Sequence, residues 1–194
     1  MKRTAATIAI AWAFTCVLAV GAQQPAGDGP RYAGTALMRP TEYREWIFLS
    51  SGLGMNYNAP APGAPPPARQ LFTNVFVNPS SYRSFMQTGK WPDKTVLVLE
   101  IRGSSGNGSI NKDGRFQTTV SGMEVHVKDS RFENGWAFFG FGGGKESAEP
   151  MSGQAVAACV SCHAEHGAVD NTFAQFYPTI LDAARQKGTL RPGF

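Results

Sequence analysis

The sequence is short of cysteine and of charge, and each shortage excludes a class of protein. Its 194 residues contain three cysteines, and Cys16 lies in an apolar N-terminal segment. The other two, Cys159 and Cys162, cannot build the disulfide framework of a small secreted domain. Charged residues make up 16% of the chain and the formal net charge is +4, so the composition predicts no nucleic acid partner.

The first residues predict export. Met1-Lys2-Arg3 precede an uncharged run from Thr4 to Gln24, and Val20-Gly21-Ala22 offers a small-residue cleavage site. The apolar part of the run is short for a membrane span and is diluted by Thr and Ala, so we expect no stable membrane anchor. Residues 1–22 are therefore predicted to form a cleaved signal peptide, with Cys16 lost and the mature protein in the periplasm.

Near its end the chain contains Cys159-Val160-Ser161-Cys162-His163. This C-x-x-C-H spacing is the signature of covalent c-type haem attachment. Two thiols three positions apart can each add to one vinyl group of the porphyrin, and the imidazole that follows can bind the iron as proximal ligand. The motif predicts haem c held by thioethers from Cys159 and Cys162, with His163 as the iron ligand.

Three other interpretations of the two cysteines compete with haem attachment. A zinc site would need four ligands, and only His166 and the distant His126 remain to complete one. A thioredoxin-like redox pair should follow a strand in a βαβ unit, and no such alternation surrounds the motif. A disulfide between the two cysteines would leave His163 without a role.

The remaining pattern predicts an α+β, mainly β fold: an antiparallel sheet with a few helices and a C-terminal haem motif. Residues 23–40, rich in Gly, Pro and Gln toward their start, are expected to form a flexible leader, residues 41–194 a single haem domain, and the proline-rich stretch 58–69 a surface loop. Strands are expected at 71–77, 95–102, 116–120, 123–128 and 136–141, and helices from Thr41, from Asn78 to Gly89, from about Gly153 and after Asp170 or Asn171.

Alternation within the strands predicts which side chains share a face. In the segment 123–128, Glu124, His126 and Lys128 lie opposite the apolar Met123, Val125 and Val127. We therefore expect His126 to be exposed to solvent and not to bind iron.

The chain also lacks a methionine after His163, the direction in which a small electron-transfer cytochrome has its sixth ligand. His166 is too close in sequence to reach the other face of the ring. The upstream methionines are not in recognisable ligand loops; they are Met38, Met55, Met86, Met123 and Met151. We expect a five-coordinate iron with one open face, which suits a protein that binds a small molecule there.

Many short motifs, in order from about Thr41 to Ala184, resemble the cytochrome P-460 family, which includes the cytochromes c′-beta. They are Tyr43-Arg44-Glu45-Trp46, Asn74-Val75-Phe76-Val77-Asn78-Pro79, Ser81-Tyr82, Thr88-Gly89, Thr95-Val96-Leu97-Val98, Glu100-Ile101, Gly122-Met123-Glu124-Val125, Val127-Lys128-Asp129, Arg131-Phe132, Gly135-Trp136-Ala137-Phe138, the C-x-x-C-H and Phe173-Ala174-Gln175-Phe176-Tyr177-Pro178. The resemblance implies a mostly antiparallel β domain, a single haem c and a homodimer.

The resemblance also implies a decisive departure at Leu99. In the hydroxylamine-oxidising members, a lysine immediately before the glutamate of the Thr-Val-x-Val-x-Glu strand is cross-linked to the porphyrin, and here Leu99 holds that position before Glu100. Lys94 lies before the strand proper and is not expected to replace it. If Leu99 faces the haem, alternation places Leu97 and Ile101 there too, so we expect an apolar wall without a hydrogen-bond donor.

Three hypotheses follow for the function. The first is an exported haem c protein that binds nitric oxide or a similar small ligand in an apolar pocket. The second is an oxidoreductase that oxidises hydroxylamine or a related nitrogen species and passes electrons to a periplasmic redox partner. The third is an electron carrier whose sixth ligand the sequence does not reveal.

Overall fold

A computed structural model describes residues 27–57, 63 and 70–194, which form two antiparallel sheets and three α-helices. The strands are β1 (Tyr32–Ala33), β2 (Ala36–Met38), β3 (Ile47–Leu53), β4 (Phe72–Val77), β5 (Val96–Ser105), β6 (Phe116–Lys128), β7 (Trp136–Gly140) and β8 (Ser147–Ala148). The helices are α1 (Pro79–Thr88), α2 (Gly153–His166) and α3 (Pro178–Gln186). The expected α+β, mainly β class is confirmed.

Two of the expected segments fall wholly or mostly outside the described residues: the signal peptide, 1–22, and the proline-rich loop, 58–69. The expected flexible leader needs correction over its second half. Strands β1 and β2 form a three-stranded sheet with β8, through pairs such as Leu37 with Ala148. Leu37 is fully buried, so this part of the chain covers the core and is not a free leader.

The five-stranded sheet has the order β3-β4-β5-β6-β7, and each strand pairs with its neighbour in sequence. Alternation produces one dry face, because Val96 and Val98 of β5 pack with Met123, Val125 and Val127 of β6. The small sheet and Tyr43 cover this face. Helices α1 and α3 cover part of the opposite face through Phe85 and Ile180, and α2 lies over the rest.

Local chemistry accounts for most of the boundaries. Helix α1 begins after Asn78 with Pro79 in its first turn, and it ends at Gly89 in a left-handed conformation, as predicted. The helix expected from Thr41 is a short 3₁₀ turn, Tyr43–Glu45, after which β3 starts. The two strand pieces expected at 116–128 form one strand, with a register shift opposite Ile101 and Arg102 beside Gly122.

The end of the chain differs in one more respect from the expected single helix. Ala174–Phe176 forms a 3₁₀ turn, and α3 begins afresh at Pro178, since proline favours the first turn of a helix. Among the described residues, no helix has both the length and the apolar character needed to cross a bilayer.

Candidate haem site

A cavity of about 360 Å³ separates α2 from the large sheet. Its floor is a row of paired residues that crosses the sheet, Ser50, Val75, Leu99 and Glu124, and Gly140 continues the row on β7 without a side chain. A second row contains Leu97, His126 and Phe138. The first row runs from β3 to β7, roughly 19 Å at about 4.8 Å per strand, and the second runs from β5 to β7.

Helix α2 carries the C-x-x-C-H motif along the roof of this cavity. Cys159, Cys162 and His163 all line the space, because positions i, i+3 and i+4 share one helical face. No disulfide joins the two cysteines. Burial and the nearby Glu124 carboxylate raise the pKa of the Cys159 thiol. The helix has no buried residue of its own. Its inner side therefore faces the cavity and does not pack against the hydrophobic core.

His163 is held by a hydrogen bond on one ring nitrogen. Its Nδ1 lies 2.8 Å from the carbonyl oxygen of Asn171, which can only accept. Nδ1 therefore carries the proton, and Nε2 is left for another partner. Burial lowers the pKa of His163 in spite of this bond, so the ring is neutral near pH 7 and suited to bind a metal.

A tight turn after α2 brings Asn171 back to the helix. Asp170 and Asn171 both have positive φ, 47° and 57°, between the bridged residues Val169 and Thr172. Gly167 makes the close approach possible. A Cβ there would lie 2.5 Å from the His163 carbonyl oxygen and 2.7 Å from the carbonyl carbon of Asn171. The sequence analysis did not predict this turn. The available signal was the pair Asp170-Asn171, because Asp and Asn tolerate positive φ better than most residues.

The expectation that His126 is exposed to solvent is wrong. Helix α2 covers the face of β6 that carries it, and the ring lies against His163, with centroids 4.7 Å apart. Burial and His163 lower the pKa of His126 to about 3, so it too is neutral. Phe138 and Phe173 complete the surroundings of His163, with centroids at 5.1 and 4.4 Å. His163 therefore lies at the β6–β7 end of the cavity.

The family model for cytochrome P-460 matches residues 40–174. The chain belongs to the cytochrome P-460 family. No individual curated protein matches the sequence. Membership makes the chain a haem-binding cytochrome, with haem c and its iron as the cofactor.

The cavity fits the P-460 cofactor in its donor chemistry. Two thiols and one neutral imidazole converge on a mostly apolar space, which is what two thioether bonds and one axial ligand require. Among the described residues, no group of three or more His, Cys, Asp or Glu side chains is placed to hold a metal ion. The family's haem would be held by Cys159, Cys162 and His163.

Leu99 occupies the middle of the cavity floor in this P-460 chain. It pairs with Val75 on one side and with Glu124 on the other, and it lines the space together with Leu97. Lys94 is engaged elsewhere, since its Nζ lies 2.5 Å from the buried carboxylate of Asp129. No lysine or arginine is among the cavity-lining residues that the structure describes.

The expectation of a wholly apolar wall needs correction. Glu124 brings a carboxylate to the floor, and the hydroxyl-bearing Ser50 and Thr73 line the β3–β4 end.

Two methionines also reach the cavity. Met151 lies at the His163 end, where its backbone N–H donates to the Phe138 carbonyl at 2.8 Å, and Met55 lies at the opposite end, with its sulfur in the space that Gly52 leaves by having no Cβ. The aromatic residues that line the cavity include Phe138, Phe173, Phe176 and Tyr177.

Proposed function

We propose that this chain is an exported, five-coordinate haem c protein that binds nitric oxide or a similar uncharged small ligand. Cys159 and Cys162 form the thioethers, and His163 binds the iron through Nε2. The observation that carries the proposal is Leu99 in the middle of the cavity floor, with no lysine among the described residues of the lining. A leucine cannot form the cross-link of the hydroxylamine-oxidising relatives.

The two ends of the cavity support one open iron face. His163 lies at the β6–β7 end with His126 beside it. Two imidazoles on opposite faces of one iron would be separated by two metal–nitrogen bonds of about 2 Å each, which with the rings places their centroids farther apart than the observed 4.7 Å. His126 is therefore a neighbour of the proximal ligand. At the far end lie Ser50, Gly52, Thr73 and Val75, none of which is a usual iron ligand, and Met55, whose sulfur packs over Gly52.

When bound, haem supplies an iron that can take up a diatomic ligand; the chain supplies its surroundings. Leu97, Leu99 and Val75 exclude water from the floor and favour ligands of low polarity. The Asn171 carbonyl fixes the orientation of His163. The neutral state of both histidines avoids a cation beside the iron.

The experiment combines ligand binding and turnover in one preparation. The protein matured with haem should show a high-spin ferrous spectrum that changes when nitric oxide is added, and it should not sustain oxidation of hydroxylamine with a dye as electron acceptor. Leu99→Lys adds a cationic donor to the floor; we expect its affinity for dioxygen to rise relative to that for nitric oxide. Sustained hydroxylamine turnover by the wild type would contradict the proposal.

Glu124 favours the oxidase as the second candidate function. Its carboxylate stands beside Leu99, and it is a group on the cavity floor that can accept a proton from a ligand with N–H or O–H bonds. If the wild type does oxidise hydroxylamine, Glu124→Gln should lower kcat, with Ser50→Ala as the matched change at the other end of the row.

Met55 tests the third candidate, an electron carrier. It is the methionine at the cavity end opposite His163, and its thioether could in principle bind iron. Its sulfur packs over Gly52, however, and the side chain is 44% exposed, so we expect no bond to the iron. Met55→Leu should leave the high-spin spectrum unchanged, whereas a low-spin wild type that becomes high-spin in Met55→Leu would establish the carrier.

A further inference from the structure

A network of polar contacts holds the turn that carries the Asn171 carbonyl. The Asp170 carboxylate accepts a hydrogen bond from the backbone N–H of Trp91 at 3.0 Å and forms an ion pair with Lys128 Nζ at 3.2 Å. Lys128 Nζ also donates to the Trp91 carbonyl oxygen at 2.8 Å. These contacts link the turn to the segment before β5 and to the end of β6.

A second contact ties the same turn to Trp91. The indole Nε1 donates to the Thr172 hydroxyl oxygen at 2.9 Å, and that hydroxyl donates to the Val169 carbonyl oxygen at 2.7 Å. Trp91 and Thr172 are each 2% exposed. The turn is thus joined on both sides of Asn171 to buried parts of the fold, and its position relative to the sheet is fixed.

The backbone of the turn depends on these contacts. Asp170 and Asn171 are both in the left-handed region, which costs free energy for residues other than glycine and persists where the surroundings hold it. Because Asp170 directly precedes Asn171, a change in its side-chain contacts moves the peptide whose carbonyl accepts the bond from His163. The strength of that bond sets the basicity of the imidazole as a ligand.

We propose that Asp170 is a positioning residue for the iron ligand. Its ion pair with Lys128 and its bond from Trp91 hold the Asn171 carbonyl at hydrogen-bonding distance from His163, and they thereby set the strength of the iron–histidine bond. Asp170 and Lys128 are not among the residues that line the cavity, so they act through the turn. The inference rests on the proposed function, because it requires His163 to bind iron.

The test uses the full chain matured with haem and a graded pair of variants. Asp170→Asn keeps an acceptor for the Trp91 N–H and tolerates positive φ, but it removes the ion pair; Asp170→Ala removes both contacts. Asp182→Asn is the matched control, because it breaks an exposed ion pair with Arg185 on α3. The readouts are the iron–histidine stretching band of the ferrous protein by resonance Raman and the hydrogen exchange of residues 167–172.

We expect the band to shift to lower frequency in Asp170→Asn and further in Asp170→Ala, with faster exchange in the turn, and to stay in place in Asp182→Asn. If the band of Asp170→Ala has the same frequency as that of the wild type, the inference is wrong but the proposed function stands. This holds even if hydrogen exchange in the turn becomes faster, since the contacts of Asp170 would then serve stability only. A wild type without any iron–histidine band would overturn the proposed function and this inference with it.

Discussion

The two faces of the five-stranded sheet carry the same alternation of residues but are covered in different ways. On the dry face, Val98 and Met123 are at most 2% exposed and pack against other apolar side chains. On the cavity face, Leu99 and Glu124 meet a space roofed by α2, a helix with no buried residue. The dry face is packed by side chains of the protein, whereas the cavity face leaves space for the haem.

The same contrast appears in the acidic residues of the two faces. Glu100 is fully buried and accepts hydrogen bonds from Tyr43 at 2.5 Å, Arg44 at 2.6 Å and Asn74 at 3.0 Å, besides its contacts with Arg102. Glu124, on the cavity face, is exposed to the cavity. The dry face therefore neutralises its buried charge with protein donors, and the cavity face keeps a carboxylate available.

The largest expected effect comes from removing the haem attachment. In the variant with Cys159→Ser and Cys162→Ser, we expect covalent haem to be lost and α2 to lose protection from hydrogen exchange, while the β5 and β6 amides stay protected. Ser161→Ala, on the same helix, is the control and should keep both. The measurements are haem retention after acid–acetone extraction and exchange by mass spectrometry. Haem that remains bound to the double variant would show that another residue makes the attachment.

The next largest effect is a difference in stability between substitutions on the dry face and on the cavity face. Met123→Ala empties a closed site on the dry face and should cost about 2–5 kcal/mol in the free energy of unfolding. Leu99→Ala adds volume to a cavity that already exists, so its cost should be below that range and its main effect on the haem spectrum. Denaturant unfolding and absorption spectra of the haem-loaded variants measure both. Equal destabilisation by the two changes would show that the faces are packed alike.

The last comparison concerns acid stability and Glu100, whose effect on the pH dependence of stability appears only at low pH. Burial alone raises the pKa of Glu100, but hydrogen bonds from Arg102, Tyr43 and Asn74 outweigh it and lower the pKa from 4.5 to about 2. A depressed pKa stabilises the folded state above the unfolded value, so this contribution, about 3 kcal/mol, should be lost as the pH falls from about 4.5 to about 2.

Glu100→Gln checks this expectation, because it removes the titrating group and keeps the shape. Its free energy of unfolding should be lower than that of the wild type at pH 7 and should vary less below pH 4.5. Glu124→Gln is the matched change on the cavity face and should leave the acid limb of the wild-type profile in place. A wild-type profile that is flat between pH 4.5 and 2 would rule out the role assigned to Glu100.

The sequence predicted the features that depend on neighbouring residues, such as helix ends and the residues that share a strand face. It did not predict the surroundings of a side chain that is covered by a distant segment. Alternation in β5 correctly predicted that Leu97 and Leu99 share a face, and Asn78, Pro79 and Gly89 marked the ends of α1. The same alternation gave the wrong surroundings for His126, because the helix that covers its face lies about 30 residues farther along the chain. A face that looks polar in sequence can face a cavity as well as solvent.

The acceptor for His163 could not be predicted for another reason. A backbone carbonyl has no residue type, so only the fold shows that Asn171 supplies it. The turn that presents this carbonyl depends on the space at Gly167 and on Trp91, which lies 79 residues before Asp170. The local sequence around Asp170 contains no information about its contact with Trp91.

The lack of buried residues in α2 also bears on the order of assembly. A strand-by-strand sheet with its dry face closed can form without the helix, because none of its core depends on an α2 side chain. We therefore expect the segment that carries Cys159 and Cys162 to stay accessible until haem is bound. Haem binding is then expected to stabilise α2 more than any other helix, because α2 has no buried side chain of its own.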